Sequence, residues 1–256
     1  MIYIGMPQLY EFDTVEDNLE LAKELGLDFI ELNLNFGYCR KEMEEGNLAS
    51  LLSRYGIRAT LHFYDEADLG SYPEIVDGYL TLLKRYALLG KGYIEQVNIH
   101  LIPGPVVTIA GVKHYIYEKE FDEYIERLVV NLKSAESICN ANGMELVIEN
   151  TDCMPAYTEK TYERLIQEGF RFCFDIGHDH LSGDLLWNLQ NKYKMHFGEF
   201  HIHDALNRKK CHLALGQGEL IIAPFKRLAE ANDAFVVLEV KQKSDLEISV
   251  PLFKKM

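Results

Sequence analysis

Long apolar runs are missing from this 256-residue sequence. No stretch approaches the roughly 18 consecutive apolar residues of a helical membrane span, and the opening MIYIGMPQLYEF lacks the basic segment followed by a long apolar one that marks a secretory leader. A soluble, intracellular protein without a membrane partner is expected. Cysteine is sparse and irregular: Cys39, Cys139, Cys153, Cys173 and Cys211 form no C-x-x-C pair. That argues against a disulfide framework and for a reducing compartment, the cytoplasm by default. Cationic residues are outnumbered, 26 Lys and Arg against 40 Asp and Glu, for a formal charge of -14. Such a chain repels polyanions at long range, so nucleic acid is a disfavoured partner. The sequence also lacks a proline-rich or low-complexity stretch that would divide it, and residues 1–256 read as one domain. Finally, no G-x-G-x-x-G follows the first apolar run, which argues against a doubly wound dinucleotide-binding sheet. Nothing in composition opposes assembly into a homo-oligomer.

What is present is a repeating unit: an amphipathic helical stretch, a glycine, then a short apolar run rich in β-branched and aromatic residues. Gly26 leads into LDFIELNL, Gly56 into IRATLHF, Gly90 into KGYIEQVNIHL, Gly143 into MELVIEN, Gly169 into FRFCFD and Gly198 into EFHIHD. IYIGMP at the start and AFVVLEV, after a helix ending near Asn232 and Asp233, make eight candidate strands. In the longest helical stretch, Phe121, Ile125, Leu128, Val129, Leu132, Ala135, Ile138 and Cys139 share one face. Thr14 before Asp17, and Ser182 before Asp184, look like helix starts. Strands alternating with helices imply parallel pairing, because a helix supplies the crossover. Eight such units near the length typical of the fold predict a single parallel (β/α)8 TIM barrel. The irregular stretch from Leu101 to about Glu118 is expected to be a lid or partner-contact loop.

In such a barrel the active site lies at the C-terminal strand ends, and those ends are rich in carboxylates and imidazoles. They carry Glu31 and Asn33, His62, His100, Glu149 and Asn150, Asp175 with His178 just beyond, His201, His203 and Asp204, and Glu239 with Lys241; His212 follows in CHLALGQGEL. One histidine or glutamate at a strand end is ordinarily a satisfied polar contact. Carboxylates converging from several strands repel and call for a cation. With imidazole and carboxylate donors and no thiolate cluster, a divalent Zn, Mn, Co or Fe ion is expected. Alternation along HIHD points His203 away from His201 and gives it a structural role. His114, His180 and His196 are read as surface or lid residues, Glu31 as either a rim group or an interior paired charge, and Gly216 and Gly218 as a turn whose amides could reach a phosphate. Lys241 and Arg208 are candidates for substrate contact.

The motifs I-E-N ending at Asn150, F-D-I-G-H ending at His178, H-I-H-D ending at Asp204, H-x-x-L-G-x-G from His212 and V-L-E-V-K ending at Lys241 resemble the xylose isomerase-like barrel superfamily of sugar isomerases, sugar epimerases and endonuclease IV. The resemblance implies one metal held by Glu149, Asp175, His201 and Glu239. It implies a small-molecule sugar or sugar-phosphate substrate, and isomerase or epimerase chemistry through an enediolate with Glu149 and Glu239 as the catalytic pair. His62, His100, His178 and His212 would touch substrate or a second metal, as in the endonuclease branch. The alternatives are an endonuclease IV-like multi-zinc phosphodiesterase and a non-catalytic sugar-binding barrel. Lys210 departs from the endonuclease branch, which has an aspartate at that position.

Overall fold

The computed structural model describes residues 2–256. Twelve strands form: β1 (Tyr3–Pro7), β2 (Phe29–Asn33), β3 (Arg58–His62), β4 (Ile94–His100), β5 (Val106–Ile109), β6 (Val112–Tyr115), β7 (Glu145–Glu149), β8 (Phe172–Asp175), β9 (Phe197–Ile202), β10 (Asp204–Leu206), β11 (Lys210–Leu213) and β12 (Phe235–Leu238). Eight of them close a barrel in the order β1-β2-β3-β4-β7-β8-β9-β12, every neighbour parallel, with helices in the connections. This is the (β/α)8 barrel expected from the alternation of patterns. No helix among the described residues is long and apolar enough to cross a membrane.

Local chemistry accounts for most element ends. Thr14 caps the helix Val15–Glu24 by accepting the Asp17 N–H. Gly26, Gly56, Gly143 and Gly169 take positive φ where helices stop, a conformation that costs other residues a Cβ clash. Gly198 behaves differently: it lies inside β9, where a Cβ would come within 2.7 Å of Gln96 and Val147 side chains. Ser182 also departs from expectation. It is the last residue of the helix Ile176–Ser182, its hydroxyl turned back onto the His178 carbonyl, and the next helix starts after Asp184. The helix Phe121–Ala141 buries Ile125, Leu128, Val129, Leu132, Ala135 and Cys139 against the barrel, as its 3.6-residue period requires.

The stretch from Leu101 to Glu118 is more regular than its composition suggests. It folds as the antiparallel hairpin β5–β6 followed by the helix Ile116–Lys119.

Strand register sets the site. His100 pairs with Glu149, Asp175 with His201, and Asn33 with His62, so the polar strand ends finish at one level of the barrel. Beneath them lies an interior polar layer. Glu199 accepts from Gln96 and, at 3.4 Å, from Thr60 Oγ1. Burial, and then the Glu31 charge, push the Glu199 carboxyl up to about 8. It is therefore mostly neutral at pH 7, which avoids an unpaired charge in the barrel interior.

Candidate metal centre

Glu149, Asp175, His201 and Glu239 arrive from β7, β8, β9 and the end of β12, and one donor atom of each lies within 4.8 Å of the others. His201 Nδ1 is the hub. It stands 2.9 Å from Glu149 Oε1, 3.3 Å from Glu239 Oε2 and 4.0 Å from Asp175 Oδ2. Donors about 2.0 to 2.2 Å from a zinc-like ion are themselves about 3 to 3.6 Å apart, so the quartet is close to ligand spacing. Two hub atoms, His201 Nδ1 and Glu239 Oε2, are buried without a hydrogen-bond partner among the described residues. Buried polar atoms rarely remain so, and a cation between them would satisfy both. The donor set therefore fits a divalent ion.

The surrounding groups hold these donors. His201 Nε2 lies 3.3 Å from Glu31 Oε1, both residues being buried, and a carboxylate behind a ligating imidazole fixes its orientation. Asn98 donates to Glu149 Oε2, and Lys241 Nζ contacts Glu239 Oε1 at 2.6 Å. Burial acts to raise the Glu149 and Glu239 carboxyls. It is outweighed by His201 and His100 at Glu149, and by Lys241, His212 and His201 at Glu239, so both are held well below the usual carboxylate range. Both are ionised, the form needed to bind metal or accept a proton.

A family model described as the xylose isomerase-like TIM barrel matches residues 19–255. The chain belongs to this family. Solved structures with the same fold include a D-tagatose 3-epimerase-like protein, with a TM-score of 0.75 and 19% identity over 99% of this chain and 96% of that one. A 3-keto-D-glucoside 4-epimerase from E. coli gives 0.74 and 14% over 100% and 98%. The IOLI protein, solved with a bound zinc atom, gives 0.70 and 15% over 99% and 96%. No curated protein matches the sequence significantly.

Hydrogen-bond partners define the tautomers of the other histidines in this family member. Carbonyls only accept, so Nδ1 carries the proton in His62 (to Phe63 O, 2.9 Å), His100 (to Asp65 O, 3.2 Å), His178 (to Asn150 O, 3.3 Å) and His212 (to Glu239 O, 3.1 Å). The Nε2 atoms remain for other partners. Those of His62 and His100 lie 3.3 and 3.6 Å from Glu149 Oε2. His203 has the opposite tautomer: its Nδ1 accepts the His212 N–H at 2.8 Å, and its Nε2 lies 3.0 and 3.1 Å from the two Asp175 oxygens. His203 thus faces the site, contrary to simple alternation along HIHD, because β9 ends at Ile202 and the chain turns into β10. It orients Asp175.

Gly177 makes that contact feasible, since a Cβ there would fall 1.9 Å from His203 Cε1. Gly177→Ala is expected to displace His203, to destabilise the fold by about 1 to 3 kcal/mol and to weaken metal binding about 10-fold or more. Thermal melts and a metal titration check this; unchanged values in both would contradict the packing described.

Other sequence candidates fall elsewhere. Arg208 forms a 2.6 Å ion pair with Asp184 on the surface and does not join the cluster. His180 bridges Glu219 and Asp184, while His114 and His196 are exposed, the latter just before β9 and so at the opposite end of the barrel. The amides of Gly216 and Gly218 are not free for phosphate, because both donate to Asp204 Oδ2, at 3.0 and 2.9 Å. Four participants escaped the sequence reading: Asn98, Glu199, Asp204 as a loop anchor, and Cys211. Asn98 was detectable, since Gln96, Asn98 and His100 alternate on one face of β4. Cys211 contacts His178 and His212, and those two imidazoles bring its thiol down to about 7.

Proposed function

We propose that the chain is a divalent-metal-dependent sugar isomerase or epimerase in which Glu149, Asp175, His201 and Glu239 hold the ion and the two glutamates move the proton. The observation that carries this reading is the convergence of three buried carboxylates on the unpartnered Nδ1 of His201. The structural relatives described above as a sugar epimerase and an epimerase-like protein agree with it. A bound ion supplies Lewis acidity to a substrate carbonyl and its neighbouring hydroxyl. Glu149 and Glu239 approach His201 from strands on either side of β8 and β9. One carboxylate takes the proton from the carbon next to the carbonyl, and the other returns a proton to the opposite face or to the neighbouring carbon. Lys241 keeps Glu239 ionised between turnovers. His100 and Lys241 border the substrate space.

A second reading has its own support. His62 and His100 both aim Nε2 at Glu149 Oε2, a further donor group that suits a multi-zinc phosphodiesterase. The -14 charge weighs against a nucleic-acid substrate, and Lys210, where the endonuclease branch has an aspartate, weighs against a full multi-metal site. Incubating the metal-loaded protein with ketoses and their phosphates in heavy water, alongside an abasic oligonucleotide at several salt concentrations, separates the two. Deuterium at the carbon next to the carbonyl, without nicking, is the expected result. Metal-dependent nicking without exchange would replace this reading with the phosphodiesterase, and silence in both would favour a non-catalytic sugar-binding barrel.

A further inference from the structure

We infer that a cavity at the N-terminal end of the barrel, remote from the quartet, binds a small phosphate-bearing anion. Its volume is about 460 Å³, within the range of small-ligand sites. Arg171 stands just before β8, and Lys194, Met195 and His196 just before β9, while Leu228 and Asn232 of the helix Ala223–Asn232 close the other side. The strands β8 and β9 begin here and reach the metal centre only toward their other ends, with Asp175 and His201.

The lining selects the charge of the ligand. Among the described residues that line the cavity none is Asp or Glu, although the chain carries 40 of them. Arg171, Lys194 and His196 all line it. Arg171 is held in place: Nη1 donates to Glu145 Oε2 at 2.6 Å and Nη2 to the Phe197 carbonyl at 3.3 Å, which leaves each terminal nitrogen one further N–H. Glu145 balances that guanidinium, so the surplus positive charge is that of Lys194, which is exposed and has no carboxylate partner among the described residues. Glu163 does not offset it, being taken by Lys192 at 3.0 Å and by the Tyr193 hydroxyl at 2.8 Å. The exposed His196 adds a ring N–H. Beneath these donors lie the buried Met195 and Phe197, and Asn232 braces the wall by accepting the Phe197 N–H and donating to the Leu228 carbonyl. Cationic donors over an apolar floor attract an anion more strongly than the same groups in open water. In a chain of formal charge -14, such a cavity is a local positive site that a compact dianion fits.

Inorganic phosphate titrated calorimetrically into the metal-free full-length chain, at constant ionic strength with chloride as the balancing ion, should show saturable binding of one ion per chain. Glycerol phosphate in a parallel titration distinguishes the source: tighter binding of the monoester assigns the cavity to an organic phosphate, tighter binding of the inorganic ion to free phosphate. Lys194→Glu should weaken binding about 10-fold or more, because a like charge then meets the dianion. His196→Ala should weaken it in the same direction. Both side chains are exposed, so melting curves of the two variants should match the parent. Glu149→Gln, which alters the metal centre alone, should leave phosphate affinity within about two-fold. Three results would overturn the inference: no saturable binding to the parent, an affinity that ignores Lys194→Glu, or binding lost in Glu149→Gln, which would place the anion in the metal centre.

Discussion

Glu239→Gln is expected to lower kcat/KM for the proposed isomerase or epimerase reaction by about 10²- to 10⁴-fold, the usual contribution of a positioned acid or base. The side chain is divided between two tasks. Oε1 lies 2.6 Å from Lys241 Nζ, while Oε2 faces His201 Nδ1 at 3.3 Å with no hydrogen-bond partner. A glutamine would turn its carbonyl toward the ammonium and its NH2 toward the hub. An NH2 neither accepts a proton nor ligates a metal, so both functions are lost while the shape is kept. The fold should survive, because removing one negative charge from a metal-free group of carboxylates relieves repulsion. Steady-state kinetics with a melting curve check the pair of expectations. Activity within a few-fold of the parent would remove Glu239 from the proton path.

The largest effect on stability is expected from Asp204→Ala, a loss of about 3 to 5 kcal/mol. The buried carboxylate accepts four backbone N–H groups, from Ala205 and Leu220 on Oδ1 and from Gly216 and Gly218 on Oδ2, at 2.9 to 3.0 Å. Each buried donor left without an acceptor costs about 1 to 3 kcal/mol, less where water reaches the loosened loop. Gly218 is part of the same device, as a Cβ there would fall 2.3 Å from both the Ala205 carbonyl and Asp204 Oδ1. Since β10 pairs with β11, loss of this anchor should also free Cys211 and His212. Asp204→Asn, which keeps one accepting oxygen, should fall between. Denaturant unfolding measures the series, and a loss under about 1 kcal/mol for alanine would contradict the anchoring role.

The barrel was legible because its signal repeats: apolar runs following helix ends at Gly26, Gly56, Gly143 and Gly169 all became strands. The quartet was legible because parallel strands of similar length end at one level, which register makes explicit in the pairing of Asp175 with His201. What escaped depends on irregular backbone. Alternation fixes a side chain's face only while the strand continues, and β9 stops one residue before His203. Composition likewise cannot show that Gly216 and Gly218 turn their amides inward, since that follows from Asp204, twelve or more positions away in sequence. Arg208 looked available near the rim, but its guanidinium is taken by Asp184. The hairpin β5–β6 has strands of only four residues, exposed almost throughout, so it lacks the half-buried alternation by which strands are recognised.

The central claim is tested most directly by anomalous diffraction from crystals grown with manganese or zinc. The account predicts an anomalous peak bonded at once to His201 Nδ1 and to oxygens of Glu149, Asp175 and Glu239, at about 2.0 to 2.3 Å. It would be contradicted by a fully loaded crystal with no peak among these four side chains.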